Sequence, residues 1–269
     1  MDLKEKAKLI SIKSREKVLN YLEGIHKTFV FGEEDDLKNI REYTYGDDIR
    51  KINWIITARE RKPYIVEREE IKSQNIRLIL LLDQEFLFKN KLEKLIETFS
   101  LLGYAALFKQ DKLEVYILTD KVEKSFKVKN IHQIEQISEF IASLNLKEKK
   151  FSPKTVEKIA YGRRSFTIFI GDFIYEINLL PVSYQHKLAV LIIRDLEEEN
   201  PQNYVSYQLR SFDERRKIPF LRKDMVDVYK KNLLRLDTKL KTFLVNKKIP
   251  YTKIYTHQDP FEKLKRLFS

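Results

Sequence analysis

From residue 76 onward the apolar residues fall into a regular alternation of short runs and helical stripes. The runs, at 76–82, 113–118, 166–170 and 188–193 with a weaker one at 251–255, are rich in Ile, Leu, Val and Phe and predict strands. Three stripes repeat at helical spacing: Leu92, Leu95, Ile96, Phe99, Leu102 and Ala106; Ile131, Ile134, Ile137, Ile141 and Leu144; Val226, Tyr229, Leu233, Leu236, Leu240 and Phe243. They predict helices over 92–108, 131–144 and 222–246. Asp259 followed by Pro260 reads as an N-cap with proline at the first helical position, opening a last short helix through Leu264 and Leu267. Strands alternating with helices predict an α/β fold with a doubly wound, mostly parallel sheet covered on both faces.

The first quarter of the chain is patterned differently. Leu3, Ala7, Ile10, Val18 and Tyr21 recur near helical spacing and predict a helix over 3–22, with Gly24 as its stop. An acidic connection follows at 32–40, and 41–74 alternates strand-like and turn-like pieces, with Gly46 before Asp47 and Asp48 as a turn signal. The expected organisation is an N-terminal helix and extra strands over residues 1–74, then an α/β domain over 75–269.

Composition narrows the function classes. A hydrophobic content of 43% is enough for a substantial core and excludes intrinsic disorder. The absence of cysteine excludes disulfides, thiolate metal sites, iron–sulfur clusters and a thiol nucleophile. No apolar run is long enough to span a bilayer, and the charged N-terminus lacks the apolar stretch of a signal peptide, so the expected location is cytoplasmic. The net charge of +12 is uneven: residues 205–269 carry 17 Lys/Arg against 7 Asp/Glu, while the rest of the chain is nearly balanced. A basic C-terminal third suits nucleic acid, anionic lipid or an acidic protein. A solvated, lysine-rich helix face is the plainer reading.

Candidate chemistry is sparse. Four apolar strands run into an aspartate, at Asp83, Asp120, Asp172 and Asp195. In a parallel sheet such residues line one edge, where convergent carboxylates suit a hard divalent cation such as Mg²⁺ or Ca²⁺. Aspartate after a strand is equally a helix cap, and Asp120 and Asp195 fit that role. The histidines (His26, His132, His186 and His257) are dispersed and read as surface or partly buried singles. Neither a nucleophile elbow nor a glycine-rich phosphate loop is present. The 31 Tyr and Phe residues fall mostly at core-facing positions rather than on a base-stacking platform.

The densest constellation lies at 41–68. It sets Arg41, Arg50 and Arg59 beside Glu42, Asp47 and Asp48, around the chain's single Trp, Trp54. Arginines and carboxylates at such density predict a hydrogen-bonded framework, with Trp54 as its core anchor and an interface hot spot as the alternative role. Arg41, Glu42, Tyr43, Gly46, Asp47, Asp48, Arg50, Ile52, Trp54, Ala58, Arg59, Tyr64 and Val66 match a pattern R-E-Y-x-x-G-D-D-x-R-x-I-D-W-x-x-S-A-R, then a short turn and Y-V. Asn53 and Thr57 stand where the pattern has Asp and Ser.

The stretch resembles the signature of a prokaryotic family of unknown biochemical role that carries a von Willebrand factor A-like domain and often accompanies MoxR-type AAA+ ATPases. The resemblance implies a von Willebrand factor A-like sheet, which often holds a metal-ion-dependent adhesion site. That site uses D-x-S-x-S after the first strand, a later Thr and an Asp after a central strand. Here Asp83 is followed by Glu85 and Leu87 at the two Ser positions, with Thr155 and Asp172 as the remaining members. The resemblance thus implies a degenerate site without metal; in the alternative, Asp83, Glu85 and Asp172 hold Mg²⁺ or Ca²⁺ without the adhesion geometry. The expected function is a non-enzymatic protein-interaction module, an adaptor for a MoxR-type ATPase. The alternatives are a divalent-metal-dependent phosphoesterase or nuclease at the acidic sheet edge, and nucleic-acid binding through the basic C-terminal third.

Overall fold

A computed structural model of the chain describes residues 2–29, 37–68, 73–201, 209–210, 217–218 and 223–268. Residues 32–36 of the acidic connection, and parts of the basic C-terminal third, lie outside the described residues. The chain divides into two compact units, one of Met1–Val18 with Gln74–Ser269 and one of Leu19–Ser73.

The first helix, α1 (Leu3–Phe29), runs through Gly24 rather than stopping there. An interior glycine costs a helix only about 1 kcal/mol, too little to end it without a left-handed cap. Ala7, Ser11, Ser14 and Val18 form its buried face in the first unit, where Ser11 Oγ lies 2.9 Å from the Tyr104 hydroxyl.

In the second unit β1 (Leu37–Glu42) pairs antiparallel with β2 (Tyr64–Arg68), in register Ile40 to Val66 and Glu42 to Tyr64. Between them come a 3₁₀ turn at Ile49–Lys51 and a helix, α2 (Trp54–Glu60). The sequence pattern predicts only strands and turns here. None of the residues of α2 is buried, so it carries no apolar stripe to read.

The rest of the first unit runs β3 (Asn75–Leu81), α3 (Lys91–Phe108), β4 (Lys112–Leu118), β5 (Val122–Val128), α4 (Ile131–Ser143), α5 (Lys154–Ile159) and β6 (Phe166–Gly171). It continues with α6 (Leu180–Gln185), β7 (Lys187–Arg194), α7 (Leu196–Glu199), a two-residue ladder of β8 (Leu209–Arg210) and β9 (Lys217–Ile218), α8 (Lys223–Asn246), β10 (Tyr251–Tyr255) and α9 (Pro260–Phe268). Six strands form one sheet in the order β10-β7-β6-β3-β4-β5, every pair parallel except β4 with β5. The fold is mixed α/β, a mostly parallel sheet flanked by helices.

Both faces of the central strands are buried over 78–81, 168–170 and 188–193, which is why those runs are apolar throughout. Ile79, Leu81, Phe169, Val190 and Ile192 pack with Val156 and Ile159 of α5, Val182 of α6 and Leu244 of α8. The intervening residues Leu78 and Leu80 are equally buried, and α3 packs against β4, β6 and β7. Asp259 caps α9 by accepting from the Phe261 amide at 2.9 Å, as its sequence predicts. His186, expected at the surface or partly buried, is buried instead: Nδ1 lies 3.0 Å from Ser165 Oγ and Nε2 lies 3.0 Å from the Ala160 carbonyl. A short polar pocket satisfies the ring, a tertiary arrangement that spacing along the chain does not reveal.

Candidate functional site

Four adjacent parallel strands, β7, β6, β3 and β4, end along one edge of the sheet and lead into Asp195, Asp172, Asp83 and Asp120 respectively. The chain leaves β3 toward β4 and β5, then returns to the other side of β3 for β6. The order therefore reverses between Asp83 and Asp172, the position at which open α/β sheets present their crevice.

At this point the edge is closed by a lysine. Asp172 is fully buried, and its Oδ2 accepts from Lys91 Nζ at 3.1 Å. Lys91 is itself fully buried, donates to Glu198 Oε1 at 2.7 Å and lies 5.2 Å from the centre of the Phe86 ring. As the first residue of α3 it sits at the positive end of the helix dipole, where a cation is disfavoured. Burial acts to lower its pKa, but the carboxylates of Asp172 and Glu198 outweigh burial and hold it above the ordinary lysine value. The two carboxylates thus favour the charged ammonium inside the fold.

Asp83 caps the 3₁₀ turn at Gln84–Leu87, its Oδ1 accepting from the Glu85 amide at 3.0 Å. Its carboxyl is pushed up to about 8 by burial, then by the charges of Asp172 and Glu85. Burial also raises Glu85, against the pull of Lys91. Asp83 is thus largely protonated at neutral pH.

Arg194, the last residue of β7, is fully buried; its Nη2 donates to the Asp172 carbonyl at 2.7 Å and to Asp237 Oδ1 at 3.1 Å. Its Nε and Nη1, and the Tyr175 hydroxyl, are buried without a hydrogen-bond partner among the described residues. Burial, with the charges of Asp172 and Asp83, drives the Tyr175 hydroxyl well above its ordinary pKa. Two residues beside the cluster hold left-handed backbone without being glycine: Phe173 at φ 55° and Lys89 at φ 46°. Such conformations cost roughly 1–2 kcal/mol each and concentrate at functional sites.

The outer aspartates do simpler work. Asp195 caps α7, accepting from the Glu197 amide at 2.9 Å in a capping box with Glu198, and is held by Thr256 and by Lys89 at 3.3 Å. Asp120 is exposed and meets Thr119 at 2.7 Å and Lys149 at 3.2 Å. Thr155 is buried in the first turn of α5, where its hydroxyl donates to the Ser152 carbonyl at 2.6 Å; among the described residues it makes no hydrogen bond to Asp83, Glu85 or Asp172. The fold thus gathers Asp83, Glu85 and Asp172, adds Lys91, Glu198, Arg194 and Tyr175, and leaves Thr155 apart. Of the added residues only Lys91 carries a sequence signal, a lysine at the unfavourable end of a predicted helix.

The signature segment in the second unit is a series of local caps. Arg41 donates to both oxygens of Asp47 at 2.7 and 2.8 Å, and Asp47 also accepts from the Thr44 amide at 2.9 Å across the turn at Gly46, whose φ of 105° suits glycine. Hydrogen bonds from Arg41 and Thr44 hold the Asp47 carboxyl well below the usual carboxylate range. Asp48 caps the 3₁₀ turn and pairs with Arg50 at 3.1 Å, while Glu42 pairs with Lys62 at 3.0 Å. The two departures from the family pattern keep their chemistry: Asn53 caps α2 by accepting from the Ile55 and Ile56 amides, and the Thr57 hydroxyl accepts from the Tyr64 amide at 3.0 Å. Arg59 is exposed and makes no ion pair among the described residues.

Trp54 is not a core anchor. It follows the Asn53 cap at the first position of α2 and is 68% exposed, with Ile55 at 80% and Ile49 at 63%. Local capping, rather than packing around the indole, organises this segment.

Comparison with curated proteins finds no match. A family profile described as protein of unknown function DUF58 covers residues 39–205, from the signature hairpin through the four aspartate-terminated strands. That span is more than half of the chain, and the protein belongs to this family.

Proposed function

We propose that the chain is a non-enzymatic protein-interaction module built on a von Willebrand factor A-like sheet, acting as an adaptor for a MoxR-type AAA+ ATPase. The observation that carries this reading is the solvent exposure of Trp54 together with Tyr45, Ile49 and Ile55. Large apolar side chains brought to the surface by one rigid, capped segment have the character of a docking patch, and tryptophan is the residue most enriched at binding hot spots. The arginine–aspartate caps around them fix the backbone in advance, which lowers the ordering cost of association.

The sheet edge favours this reading over a phosphoesterase. Asp172 and Glu198 are committed to Lys91, and Asp195 to Lys89 and a helix cap, so the carboxylates are engaged by the protein's own cations. In the adaptor reading partner contact runs through the signature segment.

The test is retention of a MoxR-type ATPase on the immobilised protein, with and without ATP. Wild type retains the ATPase, and Trp54→Ala weakens retention by roughly 30-fold, the equivalent of a hot-spot residue. Absence of retention by wild type, or equal retention by the variant, contradicts the proposal.

A further inference from the structure

The buried ammonium at the sheet edge has a consequence for metal binding that is independent of any partner. A divalent cation at Asp83 and Asp172 needs several oxygen ligands at about 2.0–2.6 Å and no competing cation in the shell. Lys91 Nζ already bonds Asp172 at 3.1 Å and Glu198 at 2.7 Å, with all three side chains withdrawn from solvent. Leu87, at one of the hydroxyl positions of the adhesion motif, offers no oxygen. The Thr155 hydroxyl is spent on the Ser152 carbonyl at 2.6 Å. The donors present do not fit a resident divalent ion.

We propose that Lys91 is a built-in replacement for a metal ion: its ammonium neutralises the convergent carboxylates at the switch point and excludes divalent cations from Asp83, Glu85, Asp172 and Glu198. Three features support the assignment. Lys91 reaches the site from the first turn of α3, the element that follows the Asp83 turn, so one continuous segment supplies both the carboxylate and its counter-charge. Its two partners come from beyond the ends of two other strands, Asp172 after β6 and Glu198 in α7 after β7, so the cation ties three adjacent strand ends together as a metal would. The guanidinium of Arg194 anchors the Asp172 backbone carbonyl at 2.7 Å and so fixes the strand end that carries the lysine's partner. Removing the Lys91 side chain leaves Asp172 Oδ2 and Glu198 Oε1, which lie 3.1 and 2.7 Å from the ammonium, without their cation, and such hard oxygens are the donors that divalent ions select.

The test uses Mn²⁺ as the probe on the full chain. Calorimetric titration of wild type gives no saturable binding at about 1 mM Mn²⁺, the weak end of protein sites for divalent ions. The ¹⁵N resonance of the Lys91 ammonium also stays unbroadened by the paramagnetic ion. Lys91→Ala gains saturable Mn²⁺ binding with a Kd of about 0.1 mM or tighter, at least about tenfold below that limit and on the scale of altering a metal site's immediate surroundings, and adding Asp172→Asn abolishes it. Saturable wild-type binding that Asp172→Asn removes overturns the proposal, as does a folded Lys91→Ala that gains no binding. Should Lys91→Ala fold only when Mn²⁺ is supplied, that dependence supports the proposal. Should it fail to fold under either condition, broadening of the wild-type Lys91 resonance overturns the proposal, and its absence up to saturation of an exposed reference site supports it.

Discussion

Lys91 is held by Asp172, 81 residues away, and by Glu198, 107 residues away, with none of the three side chains more than 7% exposed. Breaking such a pair from one side leaves buried charge without compensation. Lys91→Met therefore costs about 3–5 kcal/mol of stability, measured by urea denaturation; a loss under 1 kcal/mol would show that water reaches the carboxylates. The proton on Asp83 makes a second prediction. Its folded pKa, about 8, lies above the ordinary 3.8, so the folded chain holds this proton more tightly than the unfolded chain does. This contribution to stability is full below the ordinary value and declines as pH rises through the folded one. Thermal melting across that window shows the decline in wild type and a flatter profile in Asp83→Asn, whose amide oxygen still accepts from the Glu85 amide. An unchanged slope contradicts the assignment of the proton to Asp83.

At the scale of elements, the tight junction is Gly171 at the end of β6. A Cβ there would lie 2.9 Å from Leu81 Cβ on the neighbouring strand, so Gly171→Ala forces the ends of β3 and β6 apart beneath Asp83 and Asp172. The expected loss is about 1–3 kcal/mol by chemical denaturation, as for other overpacked cores. The strands β3, β4, β6 and β7 are legible in the sequence because each carries a continuous apolar run, over 78–81, 115–118, 168–170 and 188–193. Three long helices are legible because each carries an apolar stripe along a buried face. β5 is not: Val122, Glu123, Lys124, Ser125, Phe126, Lys127 and Val128 form an edge strand in which only Val128 is buried, and it carries too few apolar positions to register. α2 is hidden for the same reason. The four aspartates are legible as strand ends, but their fates are not. Asp120 becomes a surface pair and Asp195 a helix cap as buried as Asp83, while Asp83 and Asp172 meet where the strand order reverses, a division set by the topology. Lys91 is one of 52 Lys and Arg residues, and its partners are named only when three strand ends meet.

For the whole molecule, the family match at 39–205 takes in the signature hairpin and the sheet through β7, and stops short of α8 and α9. The basic excess of residues 205–269 lies almost wholly beyond that span, so the charge belongs to this chain's C-terminal elements and not to the features that define the family. No described helix is long and apolar enough to cross a membrane. The sheet edge neutralises itself, whereas the signature segment presents Trp54 outward, and the adaptor reading rests on that contrast. Because Trp54 is 68% exposed, truncating it leaves the folded chain essentially as stable as before, within about 0.5 kcal/mol. Binding and folding therefore separate cleanly at this residue. The most direct measurement is a calorimetric titration of a MoxR-type ATPase into wild type and Trp54→Ala at matched melting temperatures. The account predicts saturable binding to wild type and a loss of about 2 kcal/mol or more in the variant. Equal affinity for both proteins, or no binding to wild type in either nucleotide state, would contradict it.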